Sequence, residues 1–236
     1  MVGSDCDGPR WPMADPLDQM AVDHAAEAVT EAAAGTGVPA GEVTITVVPH
    51  QHRPEGPTPQ SVLARFAAQL DWLIDEAFAS PPGDDPPRDE TPEEPLLNAA
   101  CALCRGWCCL SGLENHAHLK LEDVRRYRRR DPGATPAEVR AAYFAHLPAE
   151  SVLLSCVYHG KSGCTLPRRL RNKLCNDFHC RGQRLLTEGR DAGHRAAVLV
   201  TSWDNRSASV ASWTPDAGLV THRANPESSV ADAKER

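Results

Sequence analysis

Four cysteines stand within nine residues, as Cys101-Ala-Leu-Cys104-Arg-Gly-Trp-Cys108-Cys109, and Cys156, Cys164, Cys175 and Cys180 follow them. Eight of the chain's nine cysteines therefore lie between positions 101 and 180. Thiolates this dense suit a soft or borderline metal, either zinc or an iron–sulfur cluster. Two structural zinc sites would use all eight sulfurs as two tetrahedra, yet the later gaps contain no second Cys-x-x-Cys knuckle. A cluster needs four thiolates, often three from one tight run and one from afar. Cys101, Cys104 and Cys108 with one distal cysteine follow that pattern, so the spacing leans to iron–sulfur and leaves zinc open. If the first run is helical, Cys101, Cys104 and Cys108 share a face and Cys109 lies about 100° around it. If it is a loop, Gly106 lets it wrap.

Other groups near the cysteines compete for roles. His116 and His118 follow the first run, and His159 and His179 flank the later cysteines. Imidazole can replace a thiolate on zinc. Eight thiols already suffice, so these histidines are read as surface groups or as neighbours of the ligands. His50 and His52 are read as loop residues, and Cys6 as a spare thiol. Trp107 is expected to shield a metal from water. Arg168 and Arg171 can donate to sulfur or to a nearby carboxylate and so tune a metal site. The runs Arg125-Arg126-Tyr127-Arg128-Arg129-Arg130 and Arg168 to Lys173 suit phosphate. The plainer reading is a solvated face that balances cluster charge. No glycine-rich phosphate loop, nucleophile elbow or His-Glu-x-x-His helix occurs, so no catalytic residue is assigned.

The elements that must position these groups are partly legible. Asp15-Pro16-Leu17-Asp18 predicts a helix start, with the helix running to about Ala34. Glu42 to Val48 alternates and is β-branched, as a strand would be. A second helix starts at Thr58-Pro59, with Val62, Leu63, Phe66, Leu70, Leu73, Ile74 and Ala77 on one face. Leu121, Val124 and Tyr127 mark a short helix. Thr135-Pro136-Ala137-Glu138 is a capping box that opens another, running towards Pro148. Val152 to Tyr158 reads as a strand and Pro167 to Leu174 as helical. Residues 196–203 and 207–213 read as a hairpin through Asp204-Asn205-Arg206, with a further strand near Leu219 to His222.

The expected fold class is α+β: a small cysteine-rich metal-binding domain of short helices and a few antiparallel strands, plus a helical N-terminal segment. The expected organisation is an acidic segment (1–79), a linker rich in proline and acids (80–98), a cysteine domain (99–224) and a disordered tail (225–236). The net charge of −7 divides unevenly, with −14 in residues 1–100 and +8 in residues 101–195. Positive charge around thiolates offsets theirs and requires no nucleic-acid partner. No signal peptide and no membrane span are read, so a reducing cytoplasm is expected and clustered thiols there point to metal before disulfides.

Cys-x-x-Cys-x-x-x-Cys-Cys, then Gly163-Cys164-Thr-Leu-Pro167, Arg171 and Cys175-x-x-x-x-Cys180, resembles the YkgJ-type cysteine-cluster proteins, a bacterial family described as zinc- or iron-chelating. The resemblance covers Cys101 to Cys180, about a third of the chain. It implies metal ligation by Cys101, Cys104, Cys108, Cys109, Cys156, Cys164, Cys175 and Cys180. A similar arrangement occurs in the flagellin lysine N-methylases, which carry an iron–sulfur cluster but are longer. Three functions follow as expectations. The first is a metal-binding protein with a redox or scaffold role. The second is a group-transfer or redox enzyme whose fold is organised by the cluster. The third is a structural zinc module that binds a protein or nucleic-acid partner.

Overall fold

The computed structural model describes residues 16–81, 94–203 and 206–224. Cys6, the Asp15 cap, residues 82–93 of the expected linker, the hairpin tip at 204–205 and the tail from 225 lie outside these residues. In chain order the elements are α1 (Pro16–His24), α2 (Ala26–Gly35), β1 (Val43–Pro49), β2 (Glu55–Gly56), α3 (Gln60–Phe78) and α4 (Pro95–Cys104). After these come α5 (Leu121–Arg130), α6 (Pro136–Phe144), β3 (Ser151–Val152), β4 (His159–Gly160) and β5 (Gly163–Cys164). The last are α7 (Lys173–Asp177), α8 (Arg181–Asp191), β6 (Ala196–Trp203), β7 (Arg206–Thr214) and β8 (Gly218–Ala224). The chain is α+β. Among the described residues no helix is long and apolar enough to cross a membrane.

The chain forms two compact units, neither of them continuous in sequence. The first takes residues 1–52, 94–104 and 179–236, and the second takes 53–93 and 105–178. The end of the expected linker, from Pro95, is the first turn of α4.

In the first unit a sheet of order β1-β6-β7-β8 pairs β1 with β6 in parallel and the rest antiparallel. Both faces of β6 are buried. Val198 and Val200 pack with Val22, Val29, Ala32 and Val43, whereas Ala197 and Leu199 pack with Leu97, Ala100, Cys104 and Leu186. The two-residue period of a strand thus sends alternate side chains to α1 and α2 on one face and to α4 and α8 on the other. The expected single helix over residues 15–34 is broken at Ala25 (φ −111°, ψ 16°), which splits it into α1 and α2.

Helix α8 lies close on β1. A methyl group at Gly182 would stand 2.7 Å from Val48 Cγ1 and 2.8 Å from the Val47 carbonyl, and one at Gly189 would stand 1.8 Å from Thr44 Oγ1. These glycines are seven residues apart, two turns along one stripe of the helix.

The second unit is built on α3. Its predicted apolar face is buried through Phe66, Leu70, Leu73, Ile74 and Ala77. Val124, Val139, Tyr143, Tyr158, Leu166 and Leu170 complete that core, with Tyr158 edge-on to Phe66 at 5.4 Å between ring centroids. Helix α6 starts at the predicted capping box: Thr135 N–H donates to Glu138 Oε2 at 2.7 Å, and Glu138 N–H donates to Thr135 Oγ1 at 3.3 Å. It ends at Phe144, short of Pro148. The expected strand from Val152 to Tyr158 is only Ser151–Val152, because Leu154 adopts a left-handed φ of 55° and the chain turns there. The expected helix over 167–174 is a 3-10 turn at Arg168–Leu170 followed by α7.

An open helix gains about 0.5–1 kcal/mol on Gly→Ala. Gly182→Ala and Gly189→Ala are expected to lose about 1–3 kcal/mol instead, because the added methyl overpacks the contact with β1. Urea unfolding of each variant measures the sign, and a gain in stability would show that α8 has room to retreat.

Candidate functional site

Helix α4 carries Cys101 and Cys104 and stops there. Arg105 and Gly106 then take left-handed φ values of 55° and 76°, and a 3-10 segment, Trp107–Gly112, carries Cys108 and Cys109. Of the two alternatives left open by the spacing, a single helical face holding Cys101, Cys104 and Cys108 is therefore not formed. The first run is helix as far as Cys104 and turn beyond it, with Gly106 supplying the wrap. Cys101, Cys104 and Cys180 belong to the first unit, and Cys108, Cys109, Cys156, Cys164 and Cys175 to the second. All eight are thiols.

In the second unit the backbone ties the cysteine segments together. Cys156 N–H donates to the Cys109 carbonyl at 3.1 Å. A methyl group at Gly112 would stand 2.7 Å from Cys156 Cβ, so glycine there admits the close approach of the two segments. Cys164 pairs with His159 across the β4–β5 hairpin. Arg171, expected to act at sulfur or at a carboxylate, donates from Nε to the Leu166 carbonyl at 2.5 Å and from Nη2 to the Cys164 carbonyl at 3.3 Å. Cys175 rides on α7, whose N-terminus is capped by Asn172 Oδ1 accepting from Leu174 N–H at 2.8 Å. Asn172 in turn donates to the buried carboxylate of Asp123 at 2.7 Å.

The five thiols lie within electrostatic reach of one another. Cys108 is held low, at about 7, first by a hydrogen bond from the Cys109 thiol and further by its backbone surroundings and the Arg171 guanidinium. The same shared proton, with burial and the charges of Cys108, Cys164 and Cys156, drives Cys109 far up. Burial pushes Cys156 up to about 12, with smaller like-charge effects from Cys164, Cys175 and Cys108. Burial also raises Cys164, against the pull of Arg171. Cys175 is pushed up to about 11, by burial and then by Cys164 and Cys108. One exposed thiol is thus readily ionised among four that hold their protons. Among the described residues, no three His, Cys, Asp or Glu side chains are arranged as a group that could hold a metal ion.

In the first unit Gln183 joins two cysteines. Its Nε2 donates to Cys101 Sγ at 3.0 Å, and its Oε1 accepts from Cys180 N–H at 3.2 Å. Cys104 is buried in the apolar cluster with Val48 and Leu186. Gln183 is half of a capping pair, and its offset of three residues from Cys180 was the available signal for it.

His159 was expected at the surface or beside the ligands; it is fully buried, at 0% exposure. Its Nε2 lies 2.5 Å from the Arg105 carbonyl and its Nδ1 lies 2.6 Å from Ser155 Oγ. A carbonyl only accepts, so Nε2 carries the proton and Nδ1 accepts from the serine hydroxyl. Burial lowers its pKa, consistent with the neutral ring. His116 and His118 occupy a turn in which His116, Ala117 and His118 all have left-handed φ. His50 is a loop residue, as expected, and is buried, with its Nδ1 3.1 Å from the Leu103 carbonyl. Trp107, expected to shield a metal, is 42% exposed.

Four arginines of α5, Arg126, Arg128, Arg129 and Arg130, are engaged within the protein. Arg128 stacks over Phe78 at 4.1 Å and donates to the Ala77 and Ser80 carbonyls. Arg130 donates to the Arg169 carbonyl and Arg126 to that of Arg171, while Arg129 pairs with Glu122.

No protein-family model matches this chain, and neither a curated protein nor a solved structure does.

In reduced protein stripped of metal, alkylation of Cys108 is expected to rise with pH through about 7. Cys109→Ala removes the hydrogen bond that stabilises the thiolate, so the midpoint should move upward towards the ordinary thiol range. Peptide-resolved alkylation rates check this, and an unchanged midpoint would show that Cys109 does not share its proton with Cys108.

Proposed function

We propose that the five-thiol group of the second unit (Cys108, Cys109, Cys156, Cys164 and Cys175) binds a thiophilic metal, as zinc or an iron–sulfur cluster, in a reducing compartment such as the cytoplasm. The observation that carries the reading is the close approach of the cysteine segments, with Cys156 N–H on the Cys109 carbonyl at 3.1 Å and Gly112 against Cys156, which sets these thiols in electrostatic opposition. Sulfurs gathered this way resist ionising together, and a cation coordinated by them removes that resistance. The donor chemistry fits such a metal. All five donors are sulfur, and the Arg171 guanidinium offsets part of a thiolate group's charge. The metal would draw the thiols into its own coordination geometry. It would supply either a structural cross-link, if zinc, or one-electron chemistry, if a cluster.

Cys101, Cys104 and Cys180 are donors of the same class in the first unit. The resemblance in cysteine spacing to the YkgJ-type proteins supports the same reading. The engagement of Arg126, Arg128, Arg129 and Arg130 within the protein favours a structural role for α5 over phosphate recognition.

Metal and acid-labile sulfide are measured on protein purified without oxygen, together with the visible spectrum. Iron with sulfide and a brown chromophore would identify a cluster; stoichiometric zinc in colourless protein would identify a zinc site. Cys108→Ser and Cys164→Ser are each expected to lose most of the metal while remaining folded. Protein that takes up neither metal, with its thiols intact, overturns the proposal.

A further inference from the structure

We infer that His159 is the positioning residue of the thiol group, a buried neutral imidazole that sets the spacing of three cysteine-bearing segments without itself being a ligand. The inference rests on the metal reading for its consequence in binding, and on geometry for the rest. Through Nε2–H the ring holds the Arg105 carbonyl at 2.5 Å, at the turn that leads into Cys108 and Cys109. Through its backbone N–H, His159 holds the Cys156 carbonyl at 2.9 Å. Across the β4–β5 hairpin it is the register partner of Cys164. Four of the five thiols are thus carried on segments that meet at one residue.

Both ring nitrogens are occupied. Nδ1 accepts from Ser155 Oγ at 2.6 Å, so no lone pair is directed at the sulfurs and ligation by the ring is excluded in this arrangement. The ring also fills the space beside Gly106, where a methyl group would stand 2.6 Å from Nε2. The Arg105 side chain braces the same turn, with Nη2 at 2.5 Å from Glu55 Oε1 and Nε at 3.2 Å from the Lys161 carbonyl. Removing the ring strands a buried carbonyl and opens a void between the Cys108–Cys109 segment and the hairpin.

The test uses the full chain, reduced and stripped of metal, pulsed with N-ethylmaleimide and read by peptide mass spectrometry. In the unsubstituted protein the exposed and readily ionised Cys108 should react first and Cys156 should be protected. In His159→Ala, Cys156 and Cys164 should react about tenfold faster or more with the far-ultraviolet dichroism retained. His159→Gln, whose amide can still donate to the Arg105 carbonyl, should restore the protection. Cobalt(II) then serves as the metal probe, read by its sulfur-to-cobalt charge-transfer absorption. Its affinity should fall roughly 10–100-fold in His159→Ala, the range typical for groups that orient ligands, and recover in His159→Gln.

A folded His159→Ala with the parent's alkylation pattern overturns the inference, and so does a failure of His159→Gln to rescue. If His159→Ala does not fold, Ser155→Ala decides. It removes only the hydroxyl that orients the ring, and unchanged protection of Cys156 and Cys164 would overturn the inference. Altered alkylation in a protein that binds no cobalt in any form would leave the positioning role standing and remove the metal reading.

Discussion

The left-handed turn at Arg105–Gly106 is the constraint on which the cysteine arrangement depends. Were α4 to continue, Cys108 would fall on the same stripe as Cys101 and Cys104 and the first run would be a single three-thiol face. The turn ends the helix and sends Cys108 and Cys109 into the second unit. Gly106 adopts this conformation without strain, but Arg105 does not, since a non-glycine residue with φ of 55° costs about 1–2 kcal/mol. That cost is offset locally. The Arg105 guanidinium pairs with Glu55 and its carbonyl accepts from a fully buried imidazole. A charge-assisted pair and a buried hydrogen bond, at about 1–3 kcal/mol each, are enough to hold the strained residue.

The electrostatics of the thiols follow from how the turn is packed. Gly112 lets the Cys108–Cys109 segment approach Cys156 to a distance that any larger residue would prevent. Burial then withdraws water from Cys109, Cys156 and Cys164, and each thiolate that forms raises the cost of the next. Arg171 is the cation in their midst, and its hydrogen bonds to the Cys164 and Leu166 carbonyls fix it there. One positive charge offsets one thiolate, so a group of this kind carries a second or third negative charge only when a further cation joins it.

What was legible in the sequence was what local pattern determines. The apolar face of α3, the capping box of α6 and the strands that became β6 to β8 are each specified by residues within a turn or two of one another. The break at Ala25 was not legible, because Ala21, Val22, Ala25, Val29 and Ala32 keep the helical apolar spacing across it and share one cluster, while the departure lies in the Ala25 backbone angles. The strand expected through Val152–Tyr158 failed because β-branched and aromatic residues there serve a tight turn, with Tyr158 and Val157 turned into the core of the second unit. The positions and spacing of the eight cysteines were plain. Their division between two units was not, since it depends on segments from either side of the second unit joining in one sheet. The expectation for His159 was a surface group or a neighbour of the ligands, and its burial was not legible for the same reason: its partners lie on separate segments, and only the Gly160-Lys-Ser-Gly163 turn beside it hints at a hairpin that would bury it.

Both units use a neutral side chain to gather cysteines. Gln183 spans Cys101 and Cys180 in the first unit as His159 spans the cysteine segments in the second. An ionised carboxylate could make neither donated bond, because it only accepts, and it would add negative charge beside sulfurs that must themselves ionise to bind a metal. Asp123 shows the effect, since its charge contributes to the upward shift of Cys175 even though Asn172 and Arg126 already hydrogen-bond it. Lysine or arginine in the same role would favour thiolate and would also compete with a metal for it. An amide or a neutral imidazole avoids both penalties: it donates one proton, accepts another and leaves the charge of the group to be decided by whatever the thiols bind.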